Sequence, residues 1–79
     1  MKFLYWATMG TADPTKASMP FHLMVNGSIE VGHECEIILA GDAAEIIIGD
    51  NRKTIAGVGL PSMQELFEKV RKHNIPVYV

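Results

Sequence analysis

The stretch LPSMQELFEKVRKHNIPVYV, residues 60–79, carries the clearest secondary-structure pattern in this 79-residue chain. Ser62 and Glu65 have the spacing of a capping box, which marks the start of a helix. Behind this start, apolar side chains recur at the i, i+3, i+4 and i+7 spacing of one helical face: Met63, Leu66, Phe67 and Val70. The chain then turns at Asn74, and Ile75 to Val79 are predicted to form a strand.

Two earlier segments are predicted to be strands of the same sheet. Phe3 to Met9 is apolar almost throughout, as expected for a strand that is covered on both faces. Glu34 to Ala40 alternates instead, so that Cys35, Ile37 and Leu39 share one face. Because helices lie between the predicted strands, we expect a parallel sheet with right-handed crossovers.

A helix is predicted between the first two strands. Asp13 is a favourable N-cap, Pro14 suits the first helical position, and Gly32 suits the left-handed residue after a helix end. One apolar stripe at helical spacing runs along this helix, formed by Ala17, Phe21, Met24, Val25, Ser28 and Val31. Pro20 removes a backbone donor within the pattern, so a kink or a loosely formed first turn is expected there.

The segment after the second strand has two interpretations. Gly41 and Asp42 end the strand, and Asp42 with Glu45 resembles a capping box, which predicts a short helix as far as Gly49. The β-branched residues instead favour a hairpin, EIII-GDNR-KTIA, over residues 45–56. The local pattern does not separate the two.

Length and composition indicate one small domain spanning residues 1–79. Hydrophobic residues make up 48% of the chain and charged residues 20%, which is typical of a folded globular protein. The net charge is −2, so neither a nucleic-acid partner nor a membrane surface is expected. The basic run KVRKH, residues 69–73, fits the end of the last helix, where cations complement the helix dipole.

The sequence also predicts the cellular location of the protein. The apolar run from Phe3 to Met9 is too short for a signal peptide or a membrane span and is interpreted as a strand. The chain has one cysteine, so it forms no internal disulfide, and this suits a reducing cytoplasm.

Few residues qualify for catalysis, cofactor binding or metal binding. Cys35 lies in mid-strand among apolar neighbours, and burial raises the pKa of a thiol and makes it inert. His33 and Glu36 have metal-ligand side chains, but alternation sends Glu36 away from His33 and Cys35, and zinc needs at least three converging ligands. The segment Gly57-Val58-Gly59 lacks the third glycine of a dinucleotide-binding motif, so no cofactor is predicted.

Two loops are the predicted ligand contacts. Thr8 to Asp13 follows the first strand and Gly41-Asp42 follows the second, so both lie at the carboxyl edge of the sheet, where ligands bind in open α/β folds. The candidate ligand-binding residues are Gly10, Thr11, Asp13, Gly41 and Asp42. The alternative is that these residues only cap helices.

Three segments together resemble the DsrE/DsrF-like group of small α/β proteins. They are MPFHLMVNG (19–27), GHECEIILAGDAAE (32–45) and GVGLPSMQELFEKVRKHNIPVYV (57–79). The similarity lies in their order: a helix ending in Gly-His, a strand ending in Gly-Asp, then a helix and an I-x-V-Y-V strand. It covers most of the 79 residues.

This resemblance implies a three-layer αβα sandwich of flavodoxin-like, DsrE-like topology, of which residues 1–79 are the N-terminal part. It also implies assembly into dimers, trimers or hexamers. Several members pass persulfide sulfur to a sulfur-relay partner through a cysteine just after the strand that matches Pro76 to Val79. That position falls beyond Val79, and Cys35 matches a different place.

Two functions follow, and the sequence leaves both open. In the first, the chain is the front portion of a sulfur-relay protein, which needs an exposed thiolate in an electropositive setting. In the second, it is a non-catalytic oligomeric module that binds a small ligand or a partner subunit. The second function predicts no exposed reactive thiol.

Overall fold

Three strands and three α-helices form the frame of the domain, and the computed structural model describes residues 1–79. In chain order the elements are β1 (Lys2–Ala7), α1 (Pro14–Leu23), β2 (Glu34–Leu39), α2 (Asn51–Thr54), α3 (Met63–Lys72) and β3 (Val77–Tyr78). A π-helical segment, Met24–Ser28, extends α1, and a 3₁₀ helix, Gly41–Ile47, follows β2. The predicted α/β class and parallel sheet are confirmed.

The strand order is β1-β2-β3, and both strand pairs are parallel. Each crossover therefore steps in the same direction across the sheet, and right-handed crossovers that do so place their helices on one face. A flavodoxin-like order would instead put the first strand between the other two and reverse the direction once. The observed order differs from it, and residues 1–79 form a sheet with helices over one face.

The burial of side chains along β1 shows the same difference between the covered and the uncovered face of the sheet. Phe3, Tyr5 and Ala7 pack toward the helices, whereas Leu4 and Trp6 are 50% and 62% exposed. The prediction that this strand is covered on both faces is therefore wrong within these residues. Only the inner side chains of β1 pack against the helical layer. No part of residues 1–79 packs over the outer ones.

The core lies between the inner face of the sheet and the helices. β2 contributes Cys35, Ile37 and Leu39, as its alternation predicts. The helical layer and its connections supply the remaining large buried side chains: Phe21, Met24, Val25, Ile46, Ile55, Met63, Leu66, Val70 and Ile75. Aromatic packing links the two long helices, because the ring centroids of Phe21 and Phe67 lie 5.0 Å apart.

α1 begins where the sequence predicts. The Asp13 carboxylate accepts a hydrogen bond of 3.0 Å from the Lys16 N–H, and Pro14 occupies the first turn. The helix passes through Pro20 and ends at Leu23. The missing donor at Pro20 therefore does not interrupt the helix.

The chain after α1 leaves the α-helical register. Met24–Ser28 is π-helical, and a π turn holds about one residue more than an α turn. Val31, which the helical stripe placed in the core, is 71% exposed because the wider turn shifts the residues that follow. Gly32 then adopts a φ of +90°, in the left-handed region predicted for it.

The segment after β2 is helical, so the hairpin interpretation is wrong. Ala43 and Ile46 are both fully buried, and their spacing of three residues matches the period of the 3₁₀ helix Gly41–Ile47. Asn51–Thr54, which the hairpin would place in its turn and second strand, is α-helical. The predicted cap is also wrong, because this helix starts from Ala40 and Asp42 makes no capping hydrogen bond.

α3 begins as the capping box predicts. The Ser62 hydroxyl accepts a hydrogen bond of 3.3 Å from the Glu65 N–H, and the helix starts at Met63. Met63, Leu66 and Val70 are buried, which confirms the predicted apolar face.

The end of α3 is a Schellman motif. The N–H of Asn74 donates to the carbonyl of Arg71, and the N–H of Ile75 donates to the carbonyl of Val70. Asn74 takes the left-handed conformation that this motif requires, with a φ of +54°. The chain thus turns where predicted, and β3 pairs with β2 over Val77–Tyr78 only.

Candidate functional site

The two loops predicted to bind a ligand meet at the carboxyl edge of the sheet. Gly10 is buried against the main chain of Asp42, and a Cβ atom on Gly10 would lie 2.2 Å from the Asp42 carbonyl oxygen. The Thr11 N–H donates a hydrogen bond of 3.4 Å to the Glu45 carboxylate. The parallel sheet therefore joins the two loops, as its topology requires.

Some polar groups of these loops form hydrogen bonds within the protein. Asp13 has the capping role of the alternative interpretation, since its carboxylate binds the first turn of α1. Gly41 has a φ of +57°, which a turn needs, and Asp42 is exposed. Glu45, which is not among the predicted ligand-binding residues, holds the Thr11 loop through its hydrogen bond with the Thr11 N–H. Ligand binding at this edge stays a prediction.

The larger cavity lies at the opposite, amino edge of the sheet, with a volume of about 410 Å³. Its lining carries charges of both signs and includes Lys2, His33, Glu34, Cys35, Glu36 and His73. The His33 ring packs edge to face against Phe3, with 5.0 Å between centroids. The chain has no group of three or more His, Cys, Asp or Glu side chains placed to hold a metal ion.

The Cys35 thiol lies beneath the helical layer and is only 5% exposed. Burial raises the pKa of the Cys35 thiol, and a hydrogen bond with the Ser28 side chain opposes the rise in part. The Ser28 hydroxyl is also hydrogen-bonded to the Tyr5 hydroxyl. A thiol with a raised pKa is a weak nucleophile at neutral pH, because the thiolate is the reactive form. The predicted burial of Cys35 is confirmed.

A second cavity, of about 280 Å³, lies between α2 and α3. The Arg52 guanidinium carbon stands 5.3 Å from the centroid of the Phe67 ring, which is a cation–π contact. Lys53 pairs with Asp50 at 3.5 Å on the surface. The Arg52–Phe67 contact holds α2 on α3, whereas the Lys53–Asp50 pair lies within the start of α2.

The outer face of the sheet carries an apolar row. Trp6 pairs in register with Ile38, and Ile38 with Tyr78, so the three side chains are aligned across all three strands. We call Trp6, Ile38 and Tyr78 the apolar row. Trp6 is 62% exposed and Tyr78 49%, and Leu4 lies beside the row on β1. No element of the chain covers them.

The amino half of the same face is charged. Lys2 and Glu34 pair in register at the start of the strands, and Glu36 follows on β2. The Lys2 ammonium lies 3.4 Å from the Glu36 carboxylate, which also accepts a hydrogen bond of 3.5 Å from the Tyr78 hydroxyl. The outer face therefore changes from charged to apolar along the strand direction.

The exposed outer face was not predicted from the sequence. In KFLYWA, residues 2–7, aromatic and aliphatic side chains occupy both phases of the alternation, so the strand resembles one that is buried on both sides. Lys2 was the available signal, because it shares its phase with Leu4 and Trp6.

Comparison with known proteins adds no relative to this description. No family model matches the chain, and neither a curated protein nor a solved structure matches it. None of its helices has the length and apolar character that a membrane span needs. Fold and site together define a small α/β domain with a parallel sheet, one helical layer and an apolar row on its outer face.

Proposed function

We propose that this chain is a non-catalytic binding module of the DsrE/DsrF-like kind, which associates with a second copy of itself through the outer face of its sheet. The apolar row carries this proposal. Parallel sheets occur almost only with both faces covered, and here Trp6, Ile38 and Tyr78 face outward on a parallel sheet. The outer face is therefore a surface that needs an occupant.

The small size of the core also supports the proposal that a partner covers the outer face. Only 17 of the 79 residues are buried, and a domain of this size removes only about 60% of its unfolded surface from water. Fully burying one large apolar side chain contributes about 1.5–3 kcal/mol. Covering Leu4 and Trp6 would therefore add substantially to the stability of the domain.

A second copy would also cover the outer face, which is covered in the three-layer αβα sandwich that the resemblance implies. In the proposed assembly the sheet of the partner copy, and not a helical layer, lies on this face. Dimers are the smallest of the dimers, trimers and hexamers that the resemblance implies.

The state of Cys35 supports a non-catalytic role. A relay cysteine needs an exposed, electropositive setting to form its thiolate. Cys35 is 5% exposed and burial raises its pKa, so the only thiol in the chain is unsuited to sulfur transfer.

The test is the molar mass of the protein in solution, measured by light scattering at micromolar concentration. We expect the wild type to exceed the monomer mass of 8.7 kDa at least twofold. Trp6→Glu should be monomeric, since it places a charge in the apolar row. Val58→Glu is the matched control, because Val58 is 88% exposed on a loop, and it should associate like the wild type. A monomeric wild type would contradict the proposal.

Trp6 provides a second measurement on the unmodified protein, because it is the only tryptophan in the chain. Association through the outer face should shift its fluorescence emission to shorter wavelengths and reduce quenching by acrylamide as the concentration rises. Association through any other surface would leave both unchanged.

Persulfide transfer in a reducing cytoplasm remains the second function that the resemblance implies. It is tested by incubating the native protein with a persulfide donor and measuring its intact mass. We expect no mass increase on Cys35 until the protein is unfolded. Modification of the folded protein would favour the relay function over the binding module.

A further inference from the structure

We propose that His22, Asn26 and Lys69 form a proton-sensitive latch between α1 and α3, which is closed only while the His22 imidazole is neutral. His22 lies in the last turn of α1, Asn26 in the π-helical segment that extends it, and Lys69 in the second half of α3. All three residues are partly buried. We call these three residues the latch. The proposal concerns the fold of one chain and does not depend on self-association.

The latch consists of two hydrogen bonds that share the Asn26 side-chain amide. The Nδ2 atom of Asn26 lies 3.1 Å from the Nδ1 atom of His22. The Lys69 ammonium donates a hydrogen bond to the Oδ1 atom of Asn26. Because Asn26 and Lys69 are 43 positions apart in the chain, this one amide group ties the end of α1 and its π-helical extension to α3.

The chemistry of lysine fixes the role of each atom in the latch. An ammonium group has three donors and no acceptor, so the oxygen of the Asn26 amide, and not its nitrogen, must face Lys69. The NH₂ group of Asn26 then faces His22 and donates, so Nδ1 of His22 is the acceptor. An imidazole nitrogen accepts a hydrogen bond only when it carries no proton. Neutral His22 therefore holds its hydrogen on Nε2.

Protonation of His22 opens the latch. It turns Nδ1 into a donor that faces the donating NH₂ group of Asn26. Rotating the Asn26 amide by half a turn does not relieve this conflict, because the NH₂ group would then face the Lys69 ammonium. The imidazolium would also be a second cation on the amide that binds Lys69. In the unfolded chain Nδ1 meets only water, so protonation in the range where histidine titrates weakens the folded state selectively.

No other charged group replaces these bonds. The positions three and four residues from His22 along the helix carry no ionisable side chain. Neither of the two ion pairs of the chain includes His22 or Lys69, so neither residue has a carboxylate partner.

Five further ionisable side chains lie on the segments around the latch. They stand one turn from Lys69 on α3, four residues beyond Asn26, or on the inner face of β1: Glu65, Lys72, His73, Glu30 and Tyr5. Of these, only the Tyr5 side chain forms a hydrogen bond, and its partner is Ser28. The state of the latch therefore depends on the proton of His22 itself.

The first experiment is urea unfolding of the wild type and of His22→Gln between about pH 8 and about pH 5, the range in which histidine changes charge. The glutamine amide oxygen accepts from Asn26 at every pH, so the comparison isolates the His22 proton and cancels the other titrating groups. Losing one hydrogen bond changes an equilibrium constant roughly two- to tenfold. We expect the folding equilibrium constant of the wild type to fall by about this factor relative to His22→Gln as the pH falls. A ratio that stays constant or rises would overturn the inference.

Asn26→Asp should reverse this pH dependence. A carboxylate accepts from Lys69 and from protonated His22 together, so the variant keeps the latch closed when the proton is bound. Asn26→Asp should therefore gain stability as the pH falls, relative to the double variant that also carries His22→Gln. The same sign with asparagine and with aspartate at position 26 would show that this side chain is not the partner of His22.

NMR of the wild type tests the latch without any substitution. The ¹⁵N chemical shifts of the His22 ring identify its tautomer above the pH range in which histidine titrates. We expect the hydrogen on Nε2, because Nδ1 accepts from Asn26. Neutral His22 with its hydrogen on Nδ1 would overturn the inference, even if one of the variants failed to fold.

Discussion

The α-hydrogen side of Gly10 is in direct contact with the backbone of Asp42, and this contact joins the loops after β1 and β2. A Cβ atom at Gly10 would lie 2.2 Å from the Asp42 carbonyl oxygen and 2.3 Å from a Glu45 carboxylate oxygen. Because the nearest atom belongs to the backbone, it cannot move aside cheaply. The close approach of the two loops at the carboxyl edge therefore requires glycine at position 10.

Gly10→Ala should consequently destabilise the protein. Overpacking of this kind typically costs about 1–3 kcal/mol. Gly27→Ala is the matched control, because a Cβ atom there meets nothing within 4 Å. Urea unfolding measures both. Equal stabilities of the two variants would mean that the loops separate at little cost.

The left-handed turn at Asn74 predicts that replacement by glycine and by alanine will affect stability in opposite order at Asn74 and at the nearby Lys72. The φ of +54° at Asn74 lies in the left-handed region. This conformation destabilises an L-residue such as alanine by about 1–2 kcal/mol. Asn74→Gly should therefore be more stable than Asn74→Ala. At Lys72, inside α3, the order should reverse, because glycine in a helix costs about 0.5–1 kcal/mol relative to alanine. Thermal unfolding of the four variants measures both differences, and the same order at both positions would exclude the Schellman turn.

The two predicted capping boxes should respond differently to alanine. Ser62→Ala removes a hydrogen bond to the Glu65 N–H and should cost about 1 kcal/mol. Asp42→Ala should change stability by no more than about 0.5 kcal/mol, since Asp42 makes no capping bond and is exposed. Chemical denaturation compares them. A large loss for Asp42→Ala would show that its carboxylate has a partner in solution.

Cys35 should make the stability of the protein depend on alkaline pH. Burial raises its pKa above the ordinary value of 9.0, so the native state keeps a proton that the unfolded state releases. Its contribution is full below the unfolded pKa and is lost as the pH rises toward the folded pKa. Comparing urea unfolding of the wild type and Cys35→Ala across this range cancels the other titrating groups. The difference in unfolding free energy should shrink as the pH rises, and a constant difference would contradict the burial of the thiol.

Local features of this protein were predictable from sequence because short-range physics fixes them. The start of α3 depends on a hydroxyl and an N–H three residues apart, and Asn74 and Gly32 are among the few residue types that suit a left-handed turn. The inward face of β2 follows from alternation alone. Each of these features needs only its own segment of chain.

Features that depend on distant segments were not predictable in the same way. The order of the strands is set by how two crossovers pack, and no local pattern in β1 records which strand lies beside it. The helix at Gly41–Ile47 forms because Ala43 and Ile46 complete a core that other elements supply. At the carboxyl edge, the meeting of the two loops was predictable from the parallel sheet. The contact of Gly10 with Asp42 was not.

The position of β1 at the margin of the sheet has a consequence for handling the protein. Its outer edge leaves backbone groups unpaired, and the segment KFLYWA has high β-propensity with Lys2 as its only charge. Such an exposed strand is a template for fibril-like addition of further chains. Covering the outer face would leave this edge open, so aggregation would compete with assembly at high concentration. A charged substitution such as Trp6→Glu opposes both processes, whereas a neutral one at the same position would leave the aggregating edge in place.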